Sequence, residues 1–111
     1  MDDAFQFFYD SQGNVIALLL RAEYSCKGIK FFTKDEDYQQ VGFMEHPAGY
    51  KIAPHYHNKV VRTVDYTCET LVMRKGLMEV RLYENQRPLH IFNMKAGDII
   101  TIFAGGGMAL I

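Results

Sequence analysis

The sequence predicts an all-β fold, and three observations carry that prediction. Short apolar runs alternate with turn signals along the chain, the rhythm of a sandwich or barrel. Two of the runs alternate apolar and polar residue by residue, the period of a half-buried strand. No amphipathic stretch of ten or more residues has helical spacing.

The elements follow in order. Phe5 to Tyr9 is an aromatic run, and Asp10 to Asn14 is a turn whose Gly and Asn tolerate positive φ. Val15 to Arg21 is a Leu-rich strand; its short span after a Gly-Asn turn favours strand over helix. Lys30 to Thr33 is short and aromatic. Lys34 to Asp37 is a charged, solvated loop or a single helical turn, and Gln40 to Glu45 is another strand. Thr67 to Arg74 alternates, with Thr67, Glu69, Leu71 and Met73 on one face. Leu77 to Tyr83 alternates again, with Met78, Val80 and Leu82 on one side. The Lys75-Gly76 turn between these two runs predicts a β-hairpin. Glu84 to Pro88 is a turn, Leu89 to Met94 a strand, Lys95 to Asp98 a turn and Ile99 to Phe103 an apolar strand.

With 111 residues, 49% hydrophobic and 23% charged, the chain is expected to form one domain spanning 1–111. The net charge of −1 and scattered Lys and Arg offer no field for nucleic acid or an anionic membrane. The acidic start, Met1-Asp2-Asp3, is unlike a secretory signal. The apolar stretch from Val15 to Leu20 is too short to span a bilayer. Cys26 and Cys68 lack metal-type spacing and are too few for a disulfide framework, so both read as free thiols. A cytoplasmic location is expected.

Chemistry is suggested by His55 and His57, which flank Tyr56. On an extended strand, residues i and i+2 share a side. Pro54 favours that geometry by pushing Ala53 towards an extended conformation. Two imidazoles on one face suit a first-row metal such as Zn, Fe, Mn or Ni. Two surface histidines are the competing reading.

The spacing around the pair resembles the first conserved motif of the cupin superfamily. Gly49 is followed after five residues by His55-Tyr56-His57, then by Glu69, and six residues lie between Glu69 and Gly76. Gly97-Asp98-Ile99-Ile100 resembles the start of the second cupin motif, a Gly-Asp turn that opens an apolar strand. The resemblance covers about residues 41 to 107. It implies a double-stranded β-helix, a jelly-roll barrel, with a divalent transition metal held inside by His55, His57 and Glu69. The position of Glu69 on the face of Leu71 and Met73 agrees, because a carboxylate there needs a cation or a pair. An ion pair with Arg62, Lys59 or a histidine is the alternative.

The chain departs from the cupin pattern in three places. Eleven residues separate His57 from Glu69, where the motif usually has three or four. That longer lobe holds Arg62 and Tyr66. With Tyr56, they are candidate contacts for an anionic or sugar-like ligand, Arg62 as a bidentate fork. The last cupin histidine is missing, and its position falls on Gly107 or Met108 after the Gly-Gly-His-like run Gly105-Gly106-Gly107. The third departure is at Ile111, where the chain stops and cupins continue with at least one more strand. The apolar stretch Met108 to Ile111 would leave an unpaired edge, which predicts a homodimer.

His46 and His90 read as structural or surface residues. Three functions fit this set. The first is a metal-binding cupin acting on a small polar molecule. The second is a metal-free sugar-nucleotide isomerase or epimerase, in which His55 or His57 is the base and Tyr56 or Tyr66 the acid. The third is a non-catalytic module that binds a small molecule. The sequence names neither the ligand nor the metal.

Overall fold

The computed structural model describes residues 4–104 and 107–111. Among the described residues there are strands and turns and no helix, and every ladder is antiparallel. The all-β expectation holds. No sheet closes on itself among the described residues.

Two compact units are formed, one from the stretches up to Tyr24 and from Tyr66 onward, the other from Ser25 to Asp65. In the first unit, one sheet contains β1 (Phe5–Tyr9), β2 (Val15–Leu20), β8 (Ile99–Ile102) and β5 (Glu69–Val72), in that spatial order. Its register sets side chains in rows across the strands. Phe8, Ala17, Ile102 and Glu69 form one row; Gln6, Leu19, Ile100 and Leu71 form the next on the same face. The second sheet of this unit contains β7 (Arg87–Lys95), β6 (Leu77–Glu84) and β9 (Gly107–Leu110). Its apolar face carries Val80, Leu82 and Met94.

Side chains from both sheets make one core: Phe8, Ile16, Ala17, Leu19 and Ile100 from the first, and Val80, Leu82 and Met94 from the second. The unit is therefore a two-layer sandwich, the form that lets two amphipathic sheets hide their apolar faces. Across the layers the Phe8 ring stacks on Phe92 at 4.5 Å and lies 5.0 Å from His90. Nε2 of His90 bonds to the carbonyl of Tyr9 at 2.9 Å. His90 is thus a structural tie between β1 and β7. β2 is buried on both faces, since Leu18 is as hidden as Leu19. Its continuous apolar run, Val15-Ile16-Ala17-Leu18-Leu19-Leu20, reflects that position.

The hairpin expected between Thr67 to Arg74 and Leu77 to Tyr83 does not form. β5 pairs with β8, and β6 pairs with β7 and β9. The chain leaves one sheet after β5 and enters the other at β6, passing through Gly76 at φ 88°. The alternation was sound, because Leu71 and Met73 pack on the same core as Met78, Val80 and Leu82. Two strands that face one core from opposite sheets show the same period as two strands in one hairpin. The true hairpin is β6–β7, closed by Asn85 and Gln86, both at positive φ. That is the geometry of a two-residue primed turn. Pro88, placed in a turn by its neighbours, lies within β7, an edge strand that tolerates a missing amide. The end of the chain forms an edge strand, paired on one side only, since β9 is the last strand of its sheet. β9 pairs with β6 over Val80–Tyr83, and Ile111 exchanges backbone hydrogen bonds with Glu79. Gly105 and Gly106 lie outside the described residues.

The turn between β7 and β8 is built around a fully buried carboxylate. Asp98 is 0% exposed. Its oxygens accept hydrogen bonds from the amides of Ala22 and Lys95, each at 2.9 Å, and from Nη1 of Arg21 at 2.9 Å. Nη1 of Arg21 also donates to the carbonyl of Asn93, so β2 is tied to β7. The Lys95 ammonium sits 3.5 Å away and pairs as well with Glu23. Burial pushes the Asp98 carboxyl up, but these hydrogen bonds and the Lys95 charge outweigh burial and hold it below the usual carboxylate range. Before it, Gly97 adopts φ 91°, and a Cβ there would stand 2.6 Å from Cβ of Ala22.

In the second unit, β3 (Gly28–Phe31) pairs with β4 (Gly42–Glu45), from Gly28 opposite Glu45 to Phe31 opposite Gly42. The charged segment at Lys34–Asp37 is a single turn, closed by Asp37 N–H donating to the Lys34 carbonyl. Among the described residues no helix is long and apolar enough to cross a membrane.

The Asp98 turn is sensitive to substitution at both Gly97 and Asp98. Gly97→Ala should cost at least about 2 kcal/mol in urea unfolding, from the positive φ and the clash together. Adding Ala22→Gly should recover only part of the loss, since it removes the contact and leaves the backbone strain. Substitution at Asp98 bears on acid stability. A carboxyl depressed in the folded state contributes stability above its unfolded value, near 3.9, and loses it as pH falls through the folded value. Asp98→Asn should therefore cost about 2–3 kcal/mol at pH 7. The gap between variant and parent should shrink towards pH 3, as measured by urea titration at both pH values.

Candidate functional site

The histidine pair belongs to the second unit and Glu69 to the first. The segment from His46 to Cys68 contains no strand, so the extended-strand premise for His55 and His57 is corrected. Their rings nevertheless come together, with centroids 5.6 Å apart and planes at 64°. Two imidazoles bound through nitrogen to one tetrahedral ion, at metal–nitrogen distances near 2.1 Å, would have centroids about 5 Å apart. The observed spacing is close to that.

Sequence-local features produce the arrangement. Gly49 at φ 86° and the bond from Tyr50 N–H to the Pro47 carbonyl make a tight turn after β4. Within it the His46 ring stacks on Tyr50 at 3.9 Å. Six residues beyond Gly49, Nδ1 of His55 lies 3.1 Å from the carbonyl oxygen of Ala53. Both histidines are exposed, as is Tyr56 between them, at 92%.

Arg62 is already occupied on one side. Its Nη1 donates to the carbonyl of Glu36 at 2.9 Å and its Nη2 to that of Asp35 at 3.1 Å. Close by in sequence, Asp65 N–H donates to the Tyr38 hydroxyl at 3.3 Å. These bonds tie the far end of the long lobe to the Lys34–Asp37 turn and close a loop that holds both histidines. Arg62 is therefore an anchor of this lobe. The expected fork for an anionic ligand has two of its N–H groups engaged. Tyr66 is exposed, and among the described residues no contact singles it out.

Glu69 opens β5 in the row of Phe8, Ala17 and Ile102, on the core-facing side of its sheet as its alternation implied. It lies at the end of an edge strand and is exposed, so the burial cost that seemed to demand a cation is relieved by solvent. Within either unit, no group of three or more His, Cys, Asp or Glu side chains is arranged to hold a metal among the described residues. Cys26 and Cys68 are free thiols. A depression of about 440 Å³ lies beside the β6–β7 turn, lined by Glu84, Asn85, Arg87, Pro88 and Leu89; none of the candidate residues borders it.

Two contributors escaped sequence reading. The Ala53 carbonyl carries no side-chain signal. The anchoring role of Arg62 depends on carbonyls more than twenty residues away in the chain. If that anchor holds the lobe, Arg62→Ala should raise limited-proteolysis rates between His46 and Cys68 several-fold. Arg62→Lys should not restore protection, because an ammonium cannot span two carbonyls as the planar fork does.

Comparison with known proteins leaves the chain without a match: no family model, no curated protein and no solved structure is similar to it.

Proposed function

We propose that this is a cupin-type protein in which His55 and His57 hold a divalent transition metal that serves a small polar ligand. The observation that carries the reading is the histidine pair itself. Its rings stand 5.6 Å apart, at a spacing suited to one shared ion. The chemistry of the pair also fits, since neutral imidazole is a ligand for Zn, Fe, Mn and Ni alike.

The cupin resemblance adds Glu69 as a third ligand and a jelly roll as the fold. Two facing antiparallel sheets, with the chain crossing between them at Gly76, are a feature that a jelly roll shares with other β-sandwiches. They support that assignment without supplying the closed barrel. Gly107 in place of the last motif histidine would leave a coordination position for water or ligand. The metal would act there as a Lewis acid or activate bound water.

A second reading draws on one further observation. With a proton on Nδ1 towards Ala53, Nε2 of His55 has a free lone pair, as a general base needs. The metal-free sugar-nucleotide enzyme rests on that atom.

One titration separates the two. Purified, chelator-treated protein should bind about one equivalent of Co²⁺, with a visible absorption band that shifts when Zn²⁺ displaces it. His55→Ala and His57→Ala should each weaken binding by tenfold or more, and Glu69→Gln should weaken it measurably. Absence of binding, or binding unchanged in the double histidine variant, would overturn the metal reading and leave the general-base reading to be tested by turnover of sugar nucleotides.

A further inference from the structure

We infer that the backbone carbonyl of Ala53 is a positioning group that presents His55 to its ligand through Nε2. The inference rests on the reading of His55 as a ligand, and it adds which nitrogen is used and what selects it.

A carbonyl oxygen has no proton to give. At 3.1 Å from Nδ1, the oxygen of Ala53 can be satisfied by this ring only if Nδ1 carries the hydrogen. The neutral imidazole then has its lone pair on Nε2. Histidines that bind metals are held in this way by a carbonyl or carboxylate on their other nitrogen, which fixes tautomer and ring orientation together. The partner here is two residues back, so the device is local and is complete before any ligand arrives.

Pro54 makes the contact reproducible. Its ring fixes its own φ near −65°, and its bulk disfavours the helical region for Ala53. The carbonyl therefore has few directions open to it. His57 follows Tyr56 with no proline before it, and among the described residues its ring has no backbone partner. The two rings of the pair are unlike: His55 is fixed as an Nε2 acceptor, and His57 is left to turn and meet the ion.

This difference can be read within one spectrum. Long-range ¹H–¹⁵N correlation of the metal-free full chain, at a pH where the imidazoles are neutral, reports which nitrogen of each ring is protonated. His55 should show Nδ1–H with an unprotonated Nε2, while His57 shows the averaged shifts of exchanging tautomers. In Pro54→Ala, the His55 shifts should move towards that average, and the affinity for Zn²⁺ should fall about tenfold, the usual size of an outer-shell effect. Unchanged far-ultraviolet circular dichroism would show that the fold is kept. An averaged His55 in the parent protein overturns the inference, and so does a Pro54→Ala variant whose His55 stays as it was. A fixed His55 in a protein that binds no Zn²⁺ supports the inference and defeats the metal reading alone.

Discussion

The buried carboxylate of Asp98 is the constraint on which the sandwich depends. An ionised group at 0% exposure survives only if its lone pairs are satisfied, and the partners it recruits come from two distant places in the chain. The Ala22 amide and the Arg21 guanidinium follow β2; the Lys95 amide ends β7; Asp98 itself opens β8. One side chain thus fastens the corner where the two sheets meet, and it pins the start of β8, whose register with β2 and β5 sets the core rows. Gly97 belongs to the same device. Its positive φ turns the chain into β8, and its lack of a Cβ lets Ala22 come close enough for the amide of Ala22 to reach the carboxylate. The Gly-Asp pair that stood out in the sequence therefore has a structural reason for both residues, independent of any ligand.

Much of the strand inventory was legible because strand signals are local. Phe5–Tyr9 and the Asp10–Asn14 turn fall where the sequence puts them, and β2, β6, β7 and β8 differ from expectation by a residue or two at their ends. Pairing was less legible. The period of a strand tells which face is buried and not which neighbour is bonded, so β5 and β6 looked like a hairpin although a sheet boundary runs between them. The turn residues held the better clue. Asn85-Gln86 supplies two successive positive φ values, as a two-residue hairpin demands, whereas Lys75-Gly76 supplies one at Gly76.

The candidate site was legible in its residues and illegible in its backbone. The i, i+2 spacing of His55 and His57 predicts strand geometry, yet the rings meet within a segment that has no strand. That segment has β-type composition, with Tyr50, Ile52, Tyr56, Val60, Val61, Val64 and Tyr66, and each of these is about half exposed or more. Branched and aromatic residues alone do not make a strand; they need a partner edge and a face to bury. Here the lobe is organised instead by backbone acceptors: Ala53 for His55, and Asp35 and Glu36 for Arg62.

That organisation bears on how such a site would work. Two exposed imidazoles gain little from desolvation, so affinity must come from preorganisation and from further ligands. A ring already fixed as an acceptor gives up less orientational freedom on binding than a free one. A carboxylate adds charge attraction, which an exposed pair of neutral rings lacks. The position without its histidine at Gly107 then acquires a meaning under the metal reading. A metal with every position filled by protein holds structure, whereas three protein ligands leave room for water or substrate. On that logic, were a metal held by the proposed ligands, the missing histidine would weaken the hold on it and, by the same change, leave it open to chemistry.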